Sequence, residues 1–156
     1  MTWYALLRVA HSYWRWAVLI TAVIVFLRAA AGAYKQRDWT GADGRATRLF
    51  STVLDIQFMV GSILYFGFSP FFSAVYHTFS ESMRDAGARF FGIEHQVAML
   101  IATAVAHAGM DRANRAPGPA RHRAMLMTMI VFFAIVLWAI PWPSRSYGRP
   151  LFRTTW

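Results

Sequence analysis

Hydrophobic and polar positions divide the chain into four apolar stretches, 13–34, 49–68, 90–110 and 124–140, separated by short polar and helix-breaking segments. Each is close to the ~20 residues that a ~30 Å hydrocarbon layer demands of a spanning helix. The first extends back toward Trp3 as an interfacial helix, the second stops at Ser69-Pro70, and the fourth ends at Pro141-Trp142-Pro143. The pattern predicts an all-α integral membrane protein, a four-helix antiparallel bundle forming one domain over 1–156. The first stretch is too long for the apolar region of a signal peptide and lacks a small-residue cleavage site, so it reads as a retained helix. No internal repeat is visible.

The connection over 70–89 is longer than an antiparallel turn needs. Phe72, Tyr76, Phe79 and Met83 recur at helical spacing while Ser73, His77, Ser80, Glu81 and Arg84 fall between them. That pattern predicts a short amphipathic helix on the membrane surface between the second and third spans. It is either a lid over a binding site or a plain connector.

Composition sharpens the class. The chain is 57% hydrophobic and 15% charged, against roughly 25% charged in soluble domains. A net charge of +9 raises the idea of a nucleic-acid partner, but most of the arginines flank the apolar stretches, where they meet lipid headgroups. No nucleic acid is expected. With no cysteine there are no disulfides or thiolate metal sites, so any redox chemistry needs a bound cofactor. No hydrolase triad, phosphate loop or zinc spacing is present.

Lysine and arginine also set the orientation. Arg28, Lys35, Arg37, Arg45, Arg48, Arg112, Arg115, Arg121 and Arg123 fall on one side, against Arg8, Arg15, Arg84, Arg89, Arg145, Arg149 and Arg153 on the other. The richer side is cytoplasmic by the positive-inside rule, which puts both termini in the periplasm. Trp14, Trp16, Trp138 and Trp142 then form an aromatic belt at the outer interface.

Ionisable residues at membrane depth are costly unless they pair or line a cavity, so they mark candidate sites. An outer group combines His11 and Arg15 on the first helix with Glu94 and His95 at the start of the third. Two facing imidazoles can hold a six-coordinate haem iron suited to electron transfer. Alternatively Arg15 and Glu94 form an ion pair that sets helix register. Ala98, Ala102 and Ala106 make a small-residue stripe that either admits a neighbouring helix closely or leaves room for a flat macrocycle. An inner group holds Asp55, Gln57, His107 and His122. Asp55 needs a partner, His107 or Arg123, giving either a buried register-setting pair or a proton relay.

The strings His11-Ser12-Tyr13-Trp14-Arg15-Trp16, Leu64-Tyr65-Phe66 with Ser69-Pro70, Arg89-Phe90-Phe91-Gly92-Ile93-Glu94-His95 and Pro141-Trp142-Pro143-Ser144-Arg145 occur in this order. Together, over nearly the whole chain, they resemble a family of small four-helix bacterial membrane proteins of Bacteroidetes-type genomes, often called cytochrome b. The resemblance implies that His11, Arg15, Glu94, His95 and Arg145 form the polar signature of a cofactor site. Two departures stand out: Asp55-Ile56-Gln57 replaces a usual His-x-Gln, and Ser144 replaces a usual Phe.

Two functional classes follow. In one, the protein binds haem b through His11 and His95, with Arg15 and Arg145 neutralising the propionates, and carries electrons in the bacterial cytoplasmic membrane beside other redox subunits or a quinone. In the other, it is a cofactor-free accessory or scaffold subunit of a larger membrane complex. An electron carrier or accessory subunit is favoured over a stand-alone enzyme.

Overall fold

The computed structural model describes residues 2–152; Arg153, counted above on the outer side, lies outside the described residues. Helix is the only regular structure among them. Four long helices dominate: α1 (Trp3–Tyr34), α2 (Gly41–Ile63), α6 (His95–Arg115) and α7 (Ala120–Ala139). Three short helices, α3 (Pro70–His77), α4 (Phe79–Arg84) and α5 (Ala86–Arg89), fill the 70–89 connection where the sequence predicts one.

Local chemistry accounts for the boundaries. Thr2 caps α1 by accepting from the Ala5 amide, and the helix then runs without a break through the segment read as interfacial. Its 32 residues span about 48 Å at 1.5 Å per residue. Helix α2 begins eight residues before the predicted span because Thr40 and Asp43 form a capping box, each side chain bonding the other's amide. Ser69 and Pro70 start α3 with a side-chain cap and a proline in the first turn. Single π-helical turns, Leu64–Phe68 and Phe90–Glu94, close α2 and open α6. They meet where the Tyr65 hydroxyl donates to the Gly92 carbonyl.

The long helices pack in the cyclic order α1, α2, α6, α7, and α2 and α6 touch more sparsely than the other three neighbouring pairs. Each neighbouring pair is antiparallel: Trp14 bonds the Val53 carbonyl, Asp55 meets His107, His95 reaches the Ala139 carbonyl and Phe26 packs on Phe133. Helices α1 and α6 therefore run parallel at opposite corners. Between them lies a core of Val18, Ala22, Val25, Phe50, Met129 and Phe132. Ala98, Ala102 and Ala106 are all buried, and the bare backbone of Gly109 packs directly on Thr128, so α6 and α7 approach closely.

Large apolar side chains also cover the outside, among them Ile20, Leu27, Leu49, Met59, Leu100 and Met127. In water that surface would be unfavourable, whereas hydrocarbon solvates it. Three helices are long and apolar enough to cross a membrane: Trp3–Tyr34, Gly41–Phe68 and Ala120–Ala139. Helix α6 is equally long but more polar, because His95, Gln96, His107, Asp111 and Arg112 interrupt its apolar surface.

At the end of the molecule away from α3–α5, Asp43 is 2% exposed and gathers Arg28, Arg37 and Thr40 around its carboxylate. Its hydrogen bonds hold the Arg37 guanidinium above its ordinary pKa. His122, fully buried, lies against Gly32 and Trp39 and 4.0 Å from the same carboxylate. His122 thus belongs to a structural clasp tying α1, α2 and α7, not to a group with Asp55.

Candidate functional site

A cavity of about 180 Å³ opens near the α3–α5 end and is lined by residues of all four long helices, α3 and the segment after α7. Helix α1 supplies Tyr4, Arg8, His11 and Arg15, which recur three or four residues apart and so share one face. Helix α6 supplies His95 from its first turn, directly after the π-helical turn. The parallel course of these two helices brings the imidazoles together: their ring centres are 6.3 Å apart and the ring planes cross at 78°.

Each ring is held by a different neighbour. The Nδ1 of His95 lies 2.9 Å from the Ala139 carbonyl oxygen; a carbonyl only accepts, so Nδ1 carries the proton and Nε2 keeps its lone pair. That is the tautomer a ligating histidine needs, with the backbone bond fixing the ring. His11 stands against Gly61, whose missing side chain makes room for it. Gln57 donates to the His11 carbonyl at 3.0 Å and its amide nitrogen lies 3.4 Å from His11 Nε2. The His11 Nδ1 and Gln57 Oε1 atoms are buried without hydrogen-bond partners.

The cavity is strongly one-signed. Arg8, Arg15 and Arg149 line it and, among the described residues, no aspartate or glutamate does. Arg15 donates to the Leu151 carbonyl at 2.8 Å, and Arg149 lies over the Phe91 ring, so the chain after α7 folds back across the mouth. Val18, Leu19, Leu54, Phe132 and Val136 make the deeper wall apolar. Charge at the mouth and apolar surface beneath suit an apolar ligand with an acidic edge.

Two expected members of the outer group lie elsewhere. Glu94 forms its ion pair with Arg89 at 2.7 Å, not with Arg15, and borders a separate apolar groove between α6 and α7. The Arg15–Glu94 register pair is therefore absent, because successive residues on a helix point about 100° apart and His95, not Glu94, takes the inward direction. Arg145 bonds the Tyr147 hydroxyl and the Trp138 carbonyl, so Arg149 occupies the cavity in its place. Gln57, expected with the inner group, belongs here instead. Asp55 does pair with His107, at 2.8 Å, but both side chains are nearly half exposed, so the pair sits on the outside of α2 and α6, not within the core.

Among the described residues, no group of three or more His, Cys, Asp or Glu is arranged to hold a metal ion. Two imidazoles suffice only where the metal brings its own equatorial ligands. With metal–nitrogen bonds of about 2 Å, two imidazoles sharing one iron would have ring centres roughly 6 Å apart, close to the His11–His95 separation; in this structure His11 Nε2 faces the Gln57 amide. No protein-family model, curated protein or solved structure matches the chain.

Proposed function

We propose that this protein is a four-helix membrane bundle that binds one b-type haem between His11 and His95 and carries single electrons within a bacterial cytoplasmic membrane, both termini on the periplasmic side. The observation that carries this reading is the 6.3 Å separation of the two imidazole centres inside a cavity. The His95 tautomer set by the Ala139 carbonyl supports it. When bound, the haem would supply an iron centre that changes charge by one electron, with His11 and His95 as the residues that would hold it.

The chain's own residues have defined parts in this reading. His11 and His95 would hold the iron. Gln57 would hold His11 through its backbone carbonyl, and ligation through His11 Nε2 would take the lone pair that faces the Gln57 amide in this structure. Arg8, Arg15 and Arg149 supply positive charge suited to the two carboxylates that haem carries. The apolar wall would lower the local dielectric and exclude water from the bound group. Of the polar residues of α6, His95 and Gln96 line the cavity and His107 is paired with Asp55, which would let a helix of modest hydropathy serve as the fourth span. The likeness to small bacterial membrane proteins called cytochrome b points the same way.

Haem stoichiometry tests the reading. Protein purified in detergent from cells supplied with haem precursor should contain about one haem per chain by pyridine haemochrome assay, and His95→Ala should contain none. Haem-free wild-type protein would leave the cofactor-free scaffold reading in its place.

A further inference from the structure

The Asp55–His107 pair lies where neither residue should be comfortable. Asp55 is two helical turns from Arg48 toward the middle of α2, about 10 Å, and His107 one turn from Asp111, about 6 Å, so both fall within the span that hydrocarbon would surround. Their side chains remain 47% and 45% exposed. The Nε2 of His107 meets Asp55 Oδ1 at 2.8 Å, Ser51 reaches the other carboxylate oxygen at 3.5 Å, and His107 Nδ1 has no partner among the described residues. An ionisable pair facing lipid at that depth is strongly disfavoured unless protein covers it.

The surface around the pair has the form of a helix–helix contact. Ala104 and Ala108 are exposed on α6 one turn apart, on either side of His107, a small-xxx-small arrangement that lets a second helix approach closely in a membrane. Helix α6 is the most polar of the four long helices and, with α2, forms the loosest seam of the bundle. A two-fold axis along the membrane normal would set α6 against its own copy, and would bring each copy's imidazole and carboxylate to the other's. The pair supplies both an acid and a base, so the face complements itself.

We infer that the α2–α6 face is a homodimer interface, with a second copy of this chain covering Asp55 and His107. The inference rests on the membrane-spanning part of the reading above and is independent of haem.

Because the chain has no cysteine, single-cysteine variants report this face cleanly. In liposomes, Ala108→Cys should give a disulfide-linked dimer on mild oxidation, while Ile24→Cys, exposed on α1 at the opposite corner, should stay monomeric. Fluorescently tagged wild-type protein should bleach in two steps and Ala108→Leu, which adds bulk to an exposed position, mainly in one. Single-step bleaching of the wild type, or equal cross-linking at both cysteines, overturns the inference and leaves the face to lipid or to another protein. Failure of the chain to float with the vesicles would overturn it together with the membrane reading.

Discussion

Arg37 grips Asp43 with two nitrogens, Nη1 2.6 Å from Oδ2 and Nη2 2.9 Å from Oδ1. Arg28 adds a third contact at 2.8 Å and Thr40 two more, so one buried carboxylate joins the end of α1, the following loop and the start of α2. Removing it strands two guanidiniums and a helix cap together. Because the two guanidiniums are about a third exposed, the loss is that of a helix cap and its charge-assisted hydrogen bonds, roughly 1–3 kcal/mol. Asp43→Ala should therefore lower the unfolding midpoint in detergent markedly, while Asp111→Ala, exposed near the end of α6, should change it little. Equal effects would show that the clasp carries no special weight.

Close backbone approach makes a second prediction. A methyl group on Gly109 would overlap the Thr128 side chain, and one on Gly32 would overlap the His122 ring, whereas Gly67 has open space around it. Overpacking of this sort costs about 1–3 kcal/mol. Gly109→Ala and Gly32→Ala should each destabilise the fold by that order in thermal or denaturant unfolding, and Gly67→Ala should stay near the wild type.

Charge at the cavity mouth predicts a shift in reduction potential if haem is bound. Ferric haem carries one more positive charge than ferrous, so a nearby guanidinium favours the reduced form. Arg149→Leu should then lower the midpoint potential by tens of millivolts, while Arg145→Leu, whose guanidinium is engaged with Tyr147 and Trp138, should leave it close to its original value. Redox titration of the purified variants gives the comparison. An unchanged or raised potential in Arg149→Leu would contradict the electrostatic role.

Glu94 supplies a negative control that separates inward from outward residues. Its carboxylate is paired with Arg89 and borders the outer groove. If haem is bound, Glu94→Gln should retain its spectrum, although Glu94 is the immediate neighbour of His95 in the chain.

The helical class and all four long helices were legible from apolar run length alone, since a period of that length has few other structural outcomes. Depth along the helix axis was legible too, and it placed His11 and His95 together. Direction around the axis was read less well. Asp55 and Gln57 stand two residues and about 200° apart on α2, so they face opposite ways, one outward to His107 and the other inward to His11. Arg8 could have been found from the Tyr4, Arg8, His11 and Arg15 spacing, which marks one helix face. The π-helical turns at Leu64–Phe68 and Phe90–Glu94, and the irregular segment that brings Arg149 and Leu151 over the cavity, have no periodic signal, and those features set which charges reach the site.

The most direct test of the account is the reduced-minus-oxidised absorbance spectrum of the detergent-purified protein and three histidine variants. The wild type should give the sharp bands of a low-spin, six-coordinate b-type haem, His11→Ala and His95→Ala should each lose them, and His77→Ala, in α3 away from the cavity lining, should keep them. A wild type without haem bands, or bands that survive in both His11→Ala and His95→Ala, would contradict ligation by this pair.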